Sequence, residues 1–301
     1  GTVEENTIYK NPYNGKCVKT GIEHLCELGI THVHLMPIFD FGSVDERFPG
    51  SNNRNWGYDP KNFNVPEGSY CSNPYNPVTR ILELRQMIMK FHERGIRVVM
   101  DMVYNHMMST VNMDNIVPGY YFRSDYLGRY TNGSGCGNEL ASERPMVRKF
   151  IIDSCLHWIK DYKIDGIRFD LMELLDIDTT KEIVKKTTKL DKNFLIYGEP
   201  WKGGSSPLVN GTYKGSQKNE NFSIFNDTFR DAIRGNNHPS SGFINGNQYS
   251  SICNWSIIEG LKGSIYTITS NPNESINYVD AHDNYTLWDQ VEKSQNQSIK
   301  F

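Results

Sequence analysis

One order of elements recurs along this chain and restricts its fold more than any other feature. A helical stretch leads into a short strand, and four of the six strands end in a carboxylate or are followed by a histidine. Thr20-Gly-Ile-Glu23 has the form of a capping box, Ile22, Leu25 and Leu28 follow at helical spacing until Gly29, and residues 31–36 read as a strand. Ile81, Leu84, Ile88 and Phe91 mark a second helix face, Gly95 stops it, and residues 96–101 read as a buried strand. Val147, Ile151, Cys155, Trp158 and Tyr162 form a third stripe behind Pro145, and a strand at 165–170 follows. A Lys-rich helical stretch over 180–190 precedes a strand at 194–199, and weaker strands lie at 221–225 and 276–280. Helical segments of this length suit right-handed crossovers between parallel strands, so the class is α/β.

A chain of 301 residues holds two ordinary domains or one α/β barrel, which occupies roughly 250. No linker rich in Pro, Gly or Ser divides it, so the expectation is a single domain over 1–301. The polar stretches at 41–78, 107–142, 202–220 and 236–256 are too long for connectors and are expected to be loops that build a site.

With 32 basic and 35 acidic side chains the net charge is −3, which gives no reason to expect a nucleic-acid or anionic-membrane partner. The lysines from 181 to 192 interleave with Ile183, Val184 and Leu190 and read as a solvated helix face. No apolar run approaches the ~20 residues that cross a bilayer, and the first residues lack the basic and apolar regions of a signal peptide. The six cysteines show no metal-knuckle or redox spacing and read as ordinary thiols, which favours the cytoplasm over export.

Reactive groups in parallel α/β folds collect at the C-terminal ends of strands. Here Asp101 ends one strand, with Asn105 and His106 just beyond; Asp170 ends the next, Glu199 another, and His282 and Asp283 follow the last. A period of two puts Arg168 and Asp170 on one face of their strand, and Ile167 and Phe169 on the other. An arginine beside a carboxylate favours its ionised form, whereas a carboxyl without such a partner keeps its proton more readily. Asp170 fits the first role and Glu199 the second. Two carboxyls in opposed protonation states are the minimum machinery for cleaving a glycosidic bond.

The segments 101–106 (Asp-Met-Val-Tyr-Asn-His), 166–170 (Gly-Ile-Arg-Phe-Asp), 197–201 (Tyr-Gly-Glu-Pro-Trp) and 279–283 (Val-Asp-Ala-His-Asp) resemble the four ordered blocks of the α-amylase superfamily, glycoside hydrolase family 13. The resemblance implies a (β/α)8 TIM barrel and a retaining mechanism. It assigns Asp170 as nucleophile, Glu199 as general acid/base and Asp283 as a third carboxylate that helps distort the sugar. By the same carry-over His106 and His282 hydrogen-bond the sugar and Arg168 orients Asp170. Asp101 reads as structural support, bracing Arg168 from the adjacent strand. Taken singly, the two histidines fit a satisfied buried histidine as well as a ligand.

Residues 55–60 (Asn-Trp-Gly-Tyr-Asp-Pro) resemble the signature of type I pullulanases, which cut α-1,6 links in pullulan and starch. Stretches at 20–25, 34–41, 132–144 and 225–231 are similar to the same group, so the resemblance runs over nearly the whole chain. It implies an α-glucan substrate, with Tyr58 supplying an aromatic face for the sugar and Trp56, Asn138 and Trp201 lining subsites. Departures from the pattern fall at Arg54, Pro200, Asp280 and Ala281. The expected first and eighth barrel strands lie outside 1–301, which gives a barrel of about six strands truncated at both ends. No cofactor is required by this chemistry. A Ca²⁺ site involving Asn105 occurs in some relatives, but its other ligands cannot be picked out here, so no metal is assigned. An α-1,4-acting amylase, a branching transferase and an inactive starch-binding fragment remain open alternatives. A retaining enzyme would hold the Asp170 and Glu199 carboxyls roughly 5–5.5 Å apart.

Overall fold

The computed structural model describes residues 7–48, 55–238 and 240–298. Arg54 and residues 1–6 lie outside the described residues. Two compact units are present, one made of 1–196 with 202–211 and the other of 197–201 with 212–301.

In the first unit β1 (Ile8–Lys10) and β2 (Cys17–Lys19) form an antiparallel hairpin, followed by α1 (Gly21–Leu28) and β3 (His32–Leu35). Gly29 ends α1 in the left-handed conformation at φ 69°, where a side chain would be strained. β4 (Phe39–Phe41) and β5 (Pro60–Pro66) pair antiparallel, so the part of the expected loop at 60–66 is a strand. Then come α2 (Pro77–Glu93), β6 (Arg97–Met102), the short α3 (Val111–Asp114), α4 (Pro145–His157), β7 (Gly166–Phe169) and α5 (Ile177–Leu190).

The helices follow the sequence signals except at α1, where Thr20 occupies the N-cap position but makes no side-chain cap bond, so the expected capping box does not form. Asn76 caps α2 by accepting from the Val78 amide, Pro77 fills the first turn, and Leu84, Ile88 and Phe91 are buried. Asp176 caps α5 through the Thr179 amide, and Ile183 and Val184 face inward while Lys181, Lys185 and Lys189 face solvent. The stripe of α4 continues through one π turn at Trp158–Tyr162, and Trp158 is fully buried with its indole N–H donating to the Phe63 carbonyl at 2.9 Å. These two aromatics are core, as the periodicity predicts.

β8 (Leu195–Gly198) begins in the first unit and ends in the second, where β9 (Ser223–Phe225), α6 (Asp227–Arg234), α7 (Ser251–Leu261), β10 (Ser275–Ile276) and α8 (Leu287–Ser298) follow. Six strands run parallel in the order β3-β6-β7-β8-β9-β10, an incomplete (β/α)8 barrel of the α-amylase type. The last strand is much shorter than the 276–280 expected. Its partner β9 stops at Phe225 because Asn226 turns to cap α6, so the ladder has nothing to pair with beyond Ile276.

Gly166 opens β7 for a steric reason. A methyl group there would come within 2.8 Å of the Leu195 carbonyl oxygen on β8, closer than real contacts allow. Among the described residues no helix is long and apolar enough to cross a membrane.

Candidate active site

Parallel pairing of β6 with β7 sets Asp101 opposite Arg168, and the period of two puts Asp170 on the same face as Arg168. A single nitrogen of Arg168, Nη1, donates to Asp101 Oδ1 at 2.9 Å and to Asp170 Oδ1 at 2.8 Å. Ile167 and Phe169 point the other way and are fully buried. One cation therefore serves two carboxylates that end adjacent strands.

The two acids are not equivalent. Asp101 is fully buried and also accepts from the Tyr58 hydroxyl at 2.7 Å, with His34 Nε2 at 3.4 Å from the same oxygen. Burial alone would raise its pKa, but Arg168, His34 and Tyr58 together outweigh it and hold the carboxyl below its usual value. Asp170 goes the other way. Burial and the charge of Asp101 push its carboxyl up against the pull of Arg168 and Asn105. The favourable charge of Arg168 is shared between the two carboxylates.

Asn105 reaches across from the loop after β6. Its Nδ2 donates to Asp170 Oδ2 at 2.7 Å and to the Asp170 backbone carbonyl at 3.0 Å, while its Oδ1 meets His106 Nδ1 at 2.6 Å. Both residues are buried, and burial lowers the His106 imidazole to about 4, against a weaker upward pull from the Tyr58 carbonyl and Asp59. At neutral pH His106 is therefore uncharged. Tyr58 keeps its proton because burial and the Asp101 charge push its phenol far up.

Asn138 is buried, with Oδ1 accepting from the Met107 amide at 3.1 Å and Nδ2 donating to the Met107 carbonyl at 2.7 Å. Its amide thus fixes the loop beyond His106. Trp56 is 54% exposed, so its ring is open to solvent beside Tyr58 in sequence. The structure gathers Tyr58, Asp101, Arg168, Asp170 and His106 into one hydrogen-bonded group and adds His34 and Asn105. His34 was not singled out by the sequence, although a polar side chain inside the short strand His-Val-His-Leu is a signal that could have found it.

The remaining expected residues belong to the second unit. Glu199 follows the end of β8 and is buried, Pro200 is buried, and Trp201 is partly exposed. Tyr197, two residues before Glu199, meets Phe225 edge-on at 5.4 Å, and Phe225 meets Tyr278 at 5.1 Å. Burial pushes the Tyr278 phenol up to about 12, and Arg230 donates to its oxygen at 2.8 Å. His282 Nε2 lies 3.5 Å from Asp283 Oδ2, and Asp283 is about half exposed, at 49% for its side chain. Asp280 accepts from the Ala281 and Leu287 amides at 3.0 and 3.1 Å, which ties the ends of the segment carrying both residues.

A second acidic group lies in the first unit: Asp40, Glu46 and Glu67 offer ligand atoms within 4.8 Å of one another. These oxygens already have donors. Asn62 bonds Asp40, Arg80 pairs with Glu46, and the Phe41 and Ser69 amides donate to Glu67. Arg80 supplies the positive charge the group needs.

The family described as alpha amylase, catalytic domain, matches residues 16–117. Pullulanase of Bacillus subtilis strain 168 is 43% identical over 284 residues, covering 90% of this chain and 39% of that protein. The solved structure of the pullulanase from Bacillus acidopullulyticus superposes with a TM-score of 0.90 at 43% identity, covering 98% of this chain and 38% of that one. A pullulanase from Paenibacillus barengoltzii, crystallised with maltohexaose and alpha-cyclodextrin, gives 0.89 at 42% identity, covering 94% of this chain and 45% of that one. The chain thus spans about two fifths of the length of these relatives.

Proposed function

Because this chain is an α-amylase-type barrel segment similar to pullulanases along about nine tenths of its length, we propose that it carries the machinery of a starch-debranching glycoside hydrolase that cuts α-1,6-glucosidic links by a retaining mechanism. The observation that carries this reading is Asp170 at the end of β7, with a donor on each carboxylate oxygen: Arg168 on one and Asn105 on the other. A nucleophile has to lose its proton where burial and a neighbouring carboxylate oppose ionisation, and the two donors partly offset that opposition.

In this reading Asp170 attacks the anomeric carbon while Glu199 protonates the departing glycosidic oxygen. A covalent glycosyl-enzyme forms, and Glu199 then takes a proton from the water that releases the sugar. Asp283 helps distort the ring, His106 and His282 bind its hydroxyls, and Tyr58, Trp56, Trp201 and Asn138 shape the subsites. Carboxyls and water suffice for this chemistry, so the reading assigns no cofactor and leaves Ca²⁺ unassigned. The substrate is an α-glucan of the pullulan, starch or glycogen type.

The test is the full chain with pullulan, beside Asp170→Asn. Maltotriose-sized products from the wild type and none from the variant support the reading. Equal release by both, or cleavage of amylose in preference to pullulan, would remove the nucleophile or the α-1,6 assignment. Retention of pullulan in affinity electrophoresis without any products would favour a binding role.

A further inference from the structure

We propose that Asn105 is a positioning residue that joins Asp170 to His106 and fixes the proton of the His106 ring on Nδ1, leaving Nε2 to accept a hydrogen bond from a sugar hydroxyl. The orientation of the Asn105 amide is forced. Its outer end lies 3.0 Å from the Asp170 backbone carbonyl oxygen as well as 2.7 Å from a carboxylate oxygen. A backbone carbonyl only accepts, whatever the carboxyl does, so the NH2 end of the amide must face residue 170. The amide oxygen then faces His106 Nδ1 at 2.6 Å and can itself only accept. Nδ1 must therefore carry the hydrogen.

This is the opposite of the tautomer an unconstrained histidine side chain favours in water. Both Asn105 and His106 are almost fully buried, at 1% and 3% exposure, so solvent cannot stand in for either partner. Asp59 is the charged group that bears on the ring, and the Tyr58 backbone carbonyl is the acceptor that competes for its proton.

The consequence is a direction of hydrogen bonding. A sugar hydroxyl that meets Nε2 has to donate, so the position reads a hydroxyl hydrogen and rejects an ether or fluorine there. One residue also couples the orientation of the proposed nucleophile to that of a sugar-binding ring. The sugar part rests on the hydrolase reading above; the tautomer does not.

The test is long-range ¹H–¹⁵N correlation NMR on the full chain labelled in its eight histidines, with His106 assigned by loss of its signals in His106→Gln. At pH 7 the wild type is expected to show a protonated Nδ1 and a bare Nε2 at His106, and Asn105→Ala is expected to move the proton to Nε2. A wild type with the proton on Nε2 or on both nitrogens overturns the proposal, and that spectrum decides even if the variant fails to fold. So does a folded Asn105→Ala with the wild-type tautomer. Saturating maltotriose is expected to shift the Nε2 resonance; an unmoved Nε2 would overturn the acceptor role. No turnover is needed, so an inactive chain with the expected tautomer would count against hydrolysis and leave this inference standing.

Discussion

Arg168 faces Asp101 directly across the β6–β7 ladder and donates to it at 2.9 Å through the same nitrogen that holds Asp170. The pair is buried, so its worth is best judged by what happens when one partner is removed. Asp101→Ala takes from a guanidinium in the core one of the two carboxylates it bonds, and takes an acceptor from the Tyr58 hydroxyl. The expected loss is about 3–5 kcal/mol, read as a lower urea midpoint at unchanged slope. A loss under about 1 kcal/mol would mean that Arg168 finds another anion and that Asp101 is not its brace.

His106 gives a pH signature with a definite sign. Its folded-state pKa falls from 6.5 to about 4 through burial, so between these values the unfolded chain binds a proton that the folded chain refuses. Stability therefore rises with pH across that window and is largely complete above 6.5. By linkage the change is about 3 kcal/mol between pH 4 and 6.5. Asp101, held low, adds a loss in the same direction at still more acid pH, while Asp170, held high, opposes it. Urea unfolding at pH 4.5 and 7 should show a smaller difference in His106→Gln than in the wild type. Identical differences would place the imidazole in contact with water.

Helix stops, stripes and strand ends were readable because each depends on neighbours in sequence. Gly29, Asn76-Pro77 and Pro145 act within one turn, and the strand ends of β6, β7 and β8 follow from a period of two. Pairing is another matter. β5 buries Pro60, Phe63 and Pro66, a spacing that does not alternate, and its register with β4 is irregular, so no local pattern announces it. β10 is short because of where its neighbour ends, which no reading of its own residues reveals. Asp170, Arg168 and Asp101 were legible from spacing, whereas the use of Asn105 depends on a hydrogen bond spanning two strands.

Gly166 tests whether the close approach of β7 to β8 is needed. A Cβ at this position would lie 2.8 Å from the Leu195 carbonyl oxygen and 3.0 Å from its Cβ, both on the neighbouring strand. Gly166→Ala must widen the ladder or twist β7, two residues before Arg168. Overpacking of this kind destabilises by about 1–3 kcal/mol, which outweighs the entropic gain of about 0.4–1 kcal/mol from replacing glycine. Thermal unfolding is expected at a lower temperature. An equal or higher midpoint would mean that the strands separate without penalty.

Tyr58 combines two functions that substitution can separate. Its hydroxyl donates to buried Asp101 at 2.7 Å, while its ring is the face proposed to meet the sugar. Tyr58→Phe keeps the ring and removes one donor from a carboxylate that retains Arg168 and His34. The expected loss is about 1.5–3 kcal/mol of stability, as for a hydrogen bond to a charged group. Affinity for maltotriose, measured by calorimetry, should change less than threefold, because the stacking surface is intact. Tyr58→Ala removes both, so it should match or exceed the phenylalanine variant in stability loss and weaken maltotriose binding by at least tenfold. If the phenylalanine variant lost affinity as severely as the alanine variant, the hydroxyl rather than the ring would be the sugar contact, and the stacking role would have to be given up.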